Sequence, residues 1–202
     1  MKSPQQHNFS VVPSVKTTRT KFNRDSALHT TFDAGWLVPF YVDEVIPGDS
    51  ISINTTHFAR LATPLKPIMD NLWLDIHYFF VPNRLVWDNW VKLQGERDNP
   101  DDDIDYTVPE MTAPASTGYA VGSLQDYMGL PTGVPGFKHS ALPLRCYNLI
   151  YNTWYRPQDL IDSVTVDKGD ADSLPENYTL LKRAKRHDYF TSTLSFNMIE
   201  SA

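Results

Sequence analysis

The sequence predicts a mainly β, antiparallel fold with long loops and inserted helices. Three observations carry that expectation. Short β-rich runs are concentrated in the first eighty residues. Fifteen prolines stand against nine glycines, and proline is barred from central strands and helix interiors. Only two stretches keep a helical period, and strands and helices do not alternate regularly, which argues against a doubly wound sheet.

Taken in order, residues 1–33 read as an extended basic arm. Lys2, Lys16, Arg19, Lys21 and Arg24 lie in the first 24 residues with no acid among them. So polar a segment cannot offset its own ordering entropy without a partner. Residues 34–202 then form one domain. Trp36–Val42 is β-rich but interrupted by Pro39, which suits an edge or bulged strand. Ile46-Pro-Gly-Asp49 has proline second and glycine third, the type II turn pattern. Ser50–Phe58 alternates, with Ile51, Ile53 and Thr55 to one side. Leu72–Val81 is the strongest strand signal. Leu72, Leu74, Ile76, Tyr78 and Phe80 share an apolar face, while Trp73, Asp75, His77 and Phe79 share a mixed one, as for a buried strand covered on one side.

Pro82-Asn83 ends that run, with Asn83 as the expected cap of a helix over Arg84–Gln94 that stops at Gly95. Residues 96–105 carry six acids and one arginine, the pattern of a solvated loop. Ser123 is the expected cap of a short helix, Leu124–Met128, ended by Gly129. Residues 131–139 read as a proline–glycine loop. Ser140–Tyr155 is a second helix, with Cys146, Leu149 and Ile150 on an apolar stripe and Pro157 as its end. Residues 158–188 read as irregular and charged, and Tyr189–Phe196 as a weak strand. Three or four strands are too few to close a barrel alone.

The composition narrows the function. A single cysteine, Cys146, allows no intrachain disulfide and suits a reducing compartment. No apolar run reaches the length of a membrane span. The formal net charge of −6 argues against nucleic-acid binding by bulk charge, although Lys182-Arg-Ala-Lys-Arg186 is a second basic segment. The six histidines show no metal-ligand spacing, and no phosphate-binding or nucleophile-elbow motif occurs. No catalytic residue, metal or cofactor is expected. The reading from the residues is a non-enzymatic, self-associating structural protein with Trp36, Trp87, Trp90 and Trp154 as candidate interface anchors. The rival reading is a nucleic-acid-binding module using 1–24 and 182–186, with Lys16, Arg19, Lys21, Arg24, Lys182, Arg183, Lys185 and Arg186 on phosphates. A third, a carbohydrate-handling β-protein, lacks an identifiable carboxylate pair.

Three long strings sharpen this. Thr31-Phe-Asp-Ala-Gly-Trp-Leu-Val-Pro-Phe-Tyr-Val-Asp-Glu-Val-Ile-Pro-Gly-Asp49, Phe58-Ala-Arg-Leu-Ala-Thr-Pro-Leu-Lys-Pro-Ile-Met-Asp-Asn71 and Phe79-Phe-Val-Pro-Asn-Arg-Leu-Val-Trp-Asp-Asn-Trp90 resemble the shell domain of gokushovirus (Microviridae) major capsid proteins. The resemblance continues through Gly129-Leu-Pro131, Leu144–Asn152 and Lys185–Phe190. It implies the N-terminal portion of a partial viral jelly roll, an antiparallel β-barrel or sandwich with long loops and inserted helices. It also implies a simple (T=1) icosahedral capsid of a small single-stranded DNA bacteriophage. The partners it implies are further copies of the chain, with packaged single-stranded DNA and other virion proteins as candidates. The location it implies is the virion, assembled in the bacterial host cytoplasm. Family members run well beyond 202 residues, and the tail after Thr193 leaves the family pattern, so a front portion is expected.

Overall fold

The structure, a computed structural model, describes residues 18–97, 99–101, 106–158 and 160–184. Two units divide the chain, Met1–Thr30 and Thr31–Ala202. In the first, the described residues 18–30 are exposed and without regular structure. Asn23 Nδ2 donates to Asp25 Oδ2 there at 2.9 Å.

In the second unit the regular elements are short. A 3-10 turn, Asn83–Leu85, is followed by α1 (Trp90–Leu93), β1 (Glu110–Thr112), α2 (Leu124–Tyr127), β2 (Lys138–Ser140) and α3 (Leu142–Ile150). A π turn, Tyr151–Tyr155, runs on from α3, and a second 3-10 turn covers Pro175–Asn177. β1 and β2 pair antiparallel in the register Glu110↔Ser140, Met111↔His139, Thr112↔Lys138. The ladder reaches Ala141 N to Pro109 O on one side and Ala113 N to Phe137 O on the other. Proline limits it at both ends, because Pro109 has no N–H to return to Ala141 and Pro135 has none for the next rung.

α3 organises the core. Its start is set by Ser140, whose Oγ accepts from Leu142 N at 3.3 Å, and by Pro143 in the first turn, where a missing N–H costs nothing. Successive residues at 100° spacing give it two apolar faces. Ala141 and Leu144 join Met111, Leu124 and Tyr178 in one cluster, with Met128, Tyr147 and Leu180 against it. Leu142 joins Val86 and Trp87 in a second, packed by Val81, Trp90, Tyr106, Cys146, Leu149 and Val166. Cys146 thus packs in this cluster, and burial pushes its thiol up to about 11.

Between the two faces runs a polar row, Arg145, Asn148 and Asn152. Arg145 is fully buried. Its Nε donates to Ser173 Oγ at 3.0 Å, and its Nη atoms donate to the carbonyls of Val86 (3.3 Å), Gly169 (2.9 Å) and Ala171 (3.0 Å). Asn148 Nδ2 donates to Thr165 O at 2.8 Å and Asn177 O at 3.1 Å. Asn152 donates to Val164 O at 2.7 Å and accepts from Val164 N at 3.0 Å. Segment 164–177 has no strand of its own, so these side chains satisfy backbone groups that a ladder would otherwise satisfy.

Local punctuation follows expectation. Asp49 N bonds Ile46 O at 3.0 Å across the Pro47-Gly48 turn, with Gly48 at φ 90, where only glycine is unstrained. Ser123 Oγ caps α2 by accepting from Asp126 N at 3.3 Å. α3 and its π turn cover 142–155 of the expected Ser140–Tyr155 helix, Ser140 itself ending β2, and Arg156 turns extended before Pro157.

Three expectations are corrected. Leu72–Val81 is no buried strand. It belongs to no ladder, Leu72 is 64% and Trp73 74% exposed, and Ile76 is only half-buried. A hydrophobic period specifies a face, but a strand also needs a hydrogen-bonding neighbour, and the described residues supply none. Ser50–Phe58 is likewise exposed and unpaired. The helix expected over Arg84–Gln94 is broken. Pro82, not Asn83, takes the capping position of the 3-10 turn, Val86 and Trp87 turn inward, and Asp88 N is drawn to Lys168 O at 3.0 Å. Trp36–Val42 makes one antiparallel bridge, Trp36↔Lys182, with Leu37 N on Leu181 O and Arg183 N on Gly35 O. Pro39 lacks the N–H for the next rung, so pairing stops there. The hairpin of β1 and β2 was not expected. Tyr189–Phe196 lies outside the described residues.

Arg145→Ala is expected to lower stability by at least about 3 kcal/mol, since it strands the buried Val86 carbonyl and Ser173 hydroxyl along with two part-buried carbonyls. Arg145→Lys recovers little, because an ammonium cannot span four acceptors. Urea midpoints of the two variants check this, and a lysine variant as stable as the original would refute the clamp.

Candidate functional site

Two kinds of residue were singled out as functional, the cations and the tryptophans, and the structure separates them. Of the cations, Lys21 is exposed, Arg19 and Arg24 each have an interaction of their own, and Lys16, Lys185 and Arg186 lie outside the described residues. Arg183 Nη1 is 2.5 Å from Asp75 Oδ2, and its guanidinium lies 5.9 Å from the Tyr155 ring centre. Lys182 Nζ sits 4.7 Å over the Trp36 ring. Both described cations of the second basic segment are therefore engaged within the chain.

Of the tryptophans, Trp87 is fully buried. It belongs to the chain's own core, which corrects its place among the anchors. Trp90 is half-buried against it, ring centres 6.2 Å apart. Trp36 is half-buried beneath Lys182. Trp154 is 69% exposed, and Trp73, on the mixed face of 72–81, is exposed as well.

Trp154 marks a wider surface. The mixed face of 72–81 is laid against the C-terminal end of α3. Asp75 holds Arg183. The His77 ring stacks on Tyr155, with Nδ1 at 2.5 Å from the phenol oxygen. Phe79 packs on both Trp154 and Tyr155 at 5.9 Å. On the opposite face, Tyr78 meets Phe40 edge-on at 5.9 Å and hydrogen-bonds Thr55, and Phe40 meets His57 at 5.3 Å. Segments 36–42, 51–58 and 72–81 are thus held together by side chains, not by a ladder. Their outward apolar residues, among them Ile51, Ile53, Leu72, Leu74 and Phe80, stay open. So many large apolar side chains left open on neighbouring segments suit an association face.

Sequence reasoning missed Asp170. It accepts from Trp87 Nε1 at 2.6 Å and from Asn89 Nδ2 at 2.8 and 2.9 Å, and Trp87 has no other polar anchor in that cluster. An aspartate in a charged loop carries no local sign of such a role. Among the described residues no group of three His, Cys, Asp or Glu is placed to hold a metal ion. No described helix is long and apolar enough to cross a membrane.

Such a chain, a small polar-clamped core carrying extended segments with an open apolar surface, is of the kind that associates with other polypeptide. The comparisons give the family. Residues 10–199 match the family model described as capsid protein (F protein), and the chain belongs to this phage capsid protein family. It is 52% identical over 189 residues to capsid protein VP1 of Bdellovibrio phage phiMH2K, covering 94% of this chain and 35% of that protein. It is 45% identical to capsid protein VP1 of Chlamydia phage 1, covering 95% of this chain and 36% of that one. With capsid protein VP1 of Spiroplasma virus 4 it shares 32% identity over 200 residues. The chain spans about a third of the length of these relatives. The resemblance to gokushovirus capsid proteins is thereby confirmed.

Asp170 sets a pH dependence. The Trp87 indole N–H, then the Asn89 amide, hold its carboxyl below the usual carboxylate value of 3.8. A depressed folded-state pKa stabilises above the unfolded value and is lost as pH falls through the folded one. Stability is therefore expected to decline below about pH 4, and Asp170→Asn should flatten that part of the decline. Urea midpoints between about pH 5 and about pH 2 check it. An equal acid slope in the variant would remove Asp170 from the account.

Proposed function

We propose that this chain is part of a structural subunit of the icosahedral capsid of a small single-stranded DNA bacteriophage, working by association and not by catalysis. The observation that carries this reading is the open apolar surface of 51–80. Phe58, Leu65 and Met69 are more than nine-tenths exposed, far beyond what scattered surface residues need. Extended segments with unpaired edges demand strand partners. In this reading 36–42, 51–58 and 72–81 are strands of a viral jelly roll. Their ladder neighbours come from other capsid polypeptide, and the inserted helix α3 buttresses them from one end.

The relatives, named as capsid proteins, support the virion as location and further copies of the chain as first partner. Packaged DNA and other virion proteins complete the partner set, and assembly takes place in the host cytoplasm. Trp36, Trp90 and Trp154 remain the anchors of choice in this reading, with Trp73 added. Lys16, Arg19, Lys21, Arg24, Lys185 and Arg186 remain the candidates for phosphate contact. Lys182 and Arg183 are weaker ones, because Trp36 and Asp75 already engage them. A nucleic-acid module as sole function gains no support from that geometry.

The test is assembly. Trp154→Ala should leave the unfolding free energy of the chain, from urea titration, within about 0.5 kcal/mol of the original, as for an exposed position. In the full-length capsid protein the same change should cut particle yield, by a loss of binding on the order of 2 kcal/mol for an aromatic hot spot. Sedimentation and electron microscopy of particles from cells expressing each form give the readout. Normal particles from both Trp154→Ala and Trp73→Ala would overturn the anchor assignment, and a chain that never enters particles would overturn the capsid reading.

A further inference from the structure

We propose that His139 is an acid-sensitive latch that holds the loop between β1 and β2 closed through the hydroxyl of Tyr119. The argument begins with the two ring nitrogens. Nδ1 lies 2.9 Å from Ser140 O. A carbonyl can only accept, so Nδ1 carries the hydrogen in the neutral ring. Nε2 is then a lone pair, and it lies 2.7 Å from Tyr119 Oη. The tyrosine must therefore donate and the histidine accept.

Tyr119 is only 5% exposed. Burial raises its pKa above the ordinary value, so the hydroxyl keeps its proton. The loop closes around this residue. Tyr119 forms a parallel bridge with Thr132, and Gly133 N donates to Tyr119 O at 3.0 Å. Its neighbour Gly118, at φ 68, passes so near Val134 that an added Cβ would stand 2.5 Å from the Val134 nitrogen. The Phe137 ring stacks on His139, centres 6.0 Å apart, and Met111 faces it across the hairpin. The flanking charges, Lys138 and Glu110, are paired with each other at 3.3 Å.

Acid adds a proton at Nε2, and the acceptor becomes a donor. The phenol oxygen can receive that new N–H, but the phenol hydrogen then loses its acceptor, on a residue that is itself buried. A buried donor without a partner is costly, and the loop relieves the cost by opening. The histidine thus makes closure of the loop depend on pH, while α3 and the rest of the core keep their bonds.

Amide hydrogen exchange on the full chain tests this. The protection factor at Gly133 is expected to fall roughly tenfold between about pH 8 and about pH 5, the range of imidazole titration. The amide of Arg145, bonded to Ala141 O within the core, should keep its protection. In Tyr119→Phe, which removes only the hydroxyl, the pH dependence at Gly133 should vanish. His139→Gln, which still accepts but does not titrate, should also be flat. A wild-type loop whose protection does not change with pH, or a Tyr119→Phe loop that still opens in acid, overturns the latch.

Discussion

The guanidinium of Arg145 is the contact on which the described structure depends. Helix α3 presents apolar side chains in two directions, toward the Met111–Leu124–Tyr178 cluster and toward the Val86–Trp87 cluster. Something must close the seam between them. Arg145 does so by gathering Val86 O from one stretch of chain and Gly169 O, Ala171 O and Ser173 Oγ from another. No carboxylate is among these partners. The cation is held by four neutral dipoles, an arrangement that serves geometry more than charge neutralisation. Asn148 and Asn152 repeat the device farther along the helix. The irregular segment 164–177 is ordered because a helix reads its backbone.

That device explains how a chain with so little ladder can have a core. Only three residue pairs make up the hairpin, and proline blocks its growth at both ends. The same block recurs at Pro39. Elsewhere side chains do the work that a sheet would do. Tyr147 Oη donates to Leu37 O at 2.9 Å and accepts from Leu181 N at 3.0 Å, pinning the two strands of the short 35–37/181–183 pairing. Burial pushes this phenol up to about 12, so it remains a donor at any ordinary pH.

What could be read from the sequence was what is decided locally. The Pro47-Gly48 turn, the Ser123 cap, the Gly129 and Gly95 stops and the Pro157 end depend on residues within a few positions of one another, and all are in the structure. The period of Leu72–Val81 was legible too, but it told only which side chains share a face. Asp75, His77 and Phe79 do share one, against Arg183, Tyr155 and Trp154. The missing element was the neighbouring strand, which no local pattern encodes. The hairpin of β1 and β2 escaped for the converse reason. Lys138-His-Ser140 shows no strand period, and its partner lies across a long loop. Arg145 and Asp170 escaped because a charged residue is ordinarily read as solvated, and only the assembled core reveals the carbonyls and the indole that they serve. Trp87 was misplaced by the same blindness, since a large aromatic is equally at home in a core and at an interface.

The two halves of the second unit differ in what satisfies them. From Val86 to Leu181 the buried apolar groups meet one another, and Arg145, Asn148 and Gln125 donate to backbone carbonyls. Before Pro82 the apolar groups meet mostly solvent, and the contacts that exist, Phe40 with Tyr78 or Phe79 with Trp154, join segments edge to edge without closing a layer. Hydrophobic burial is the dominant favourable term in folding and in association alike, so the exposed apolar side chains of residues 36–80 leave most of that term ungained within the described structure. The core is self-sufficient on one side and open on the other, which is the physical basis of the proposed role in a shell. The capsid proteins that match this chain are about three times its length.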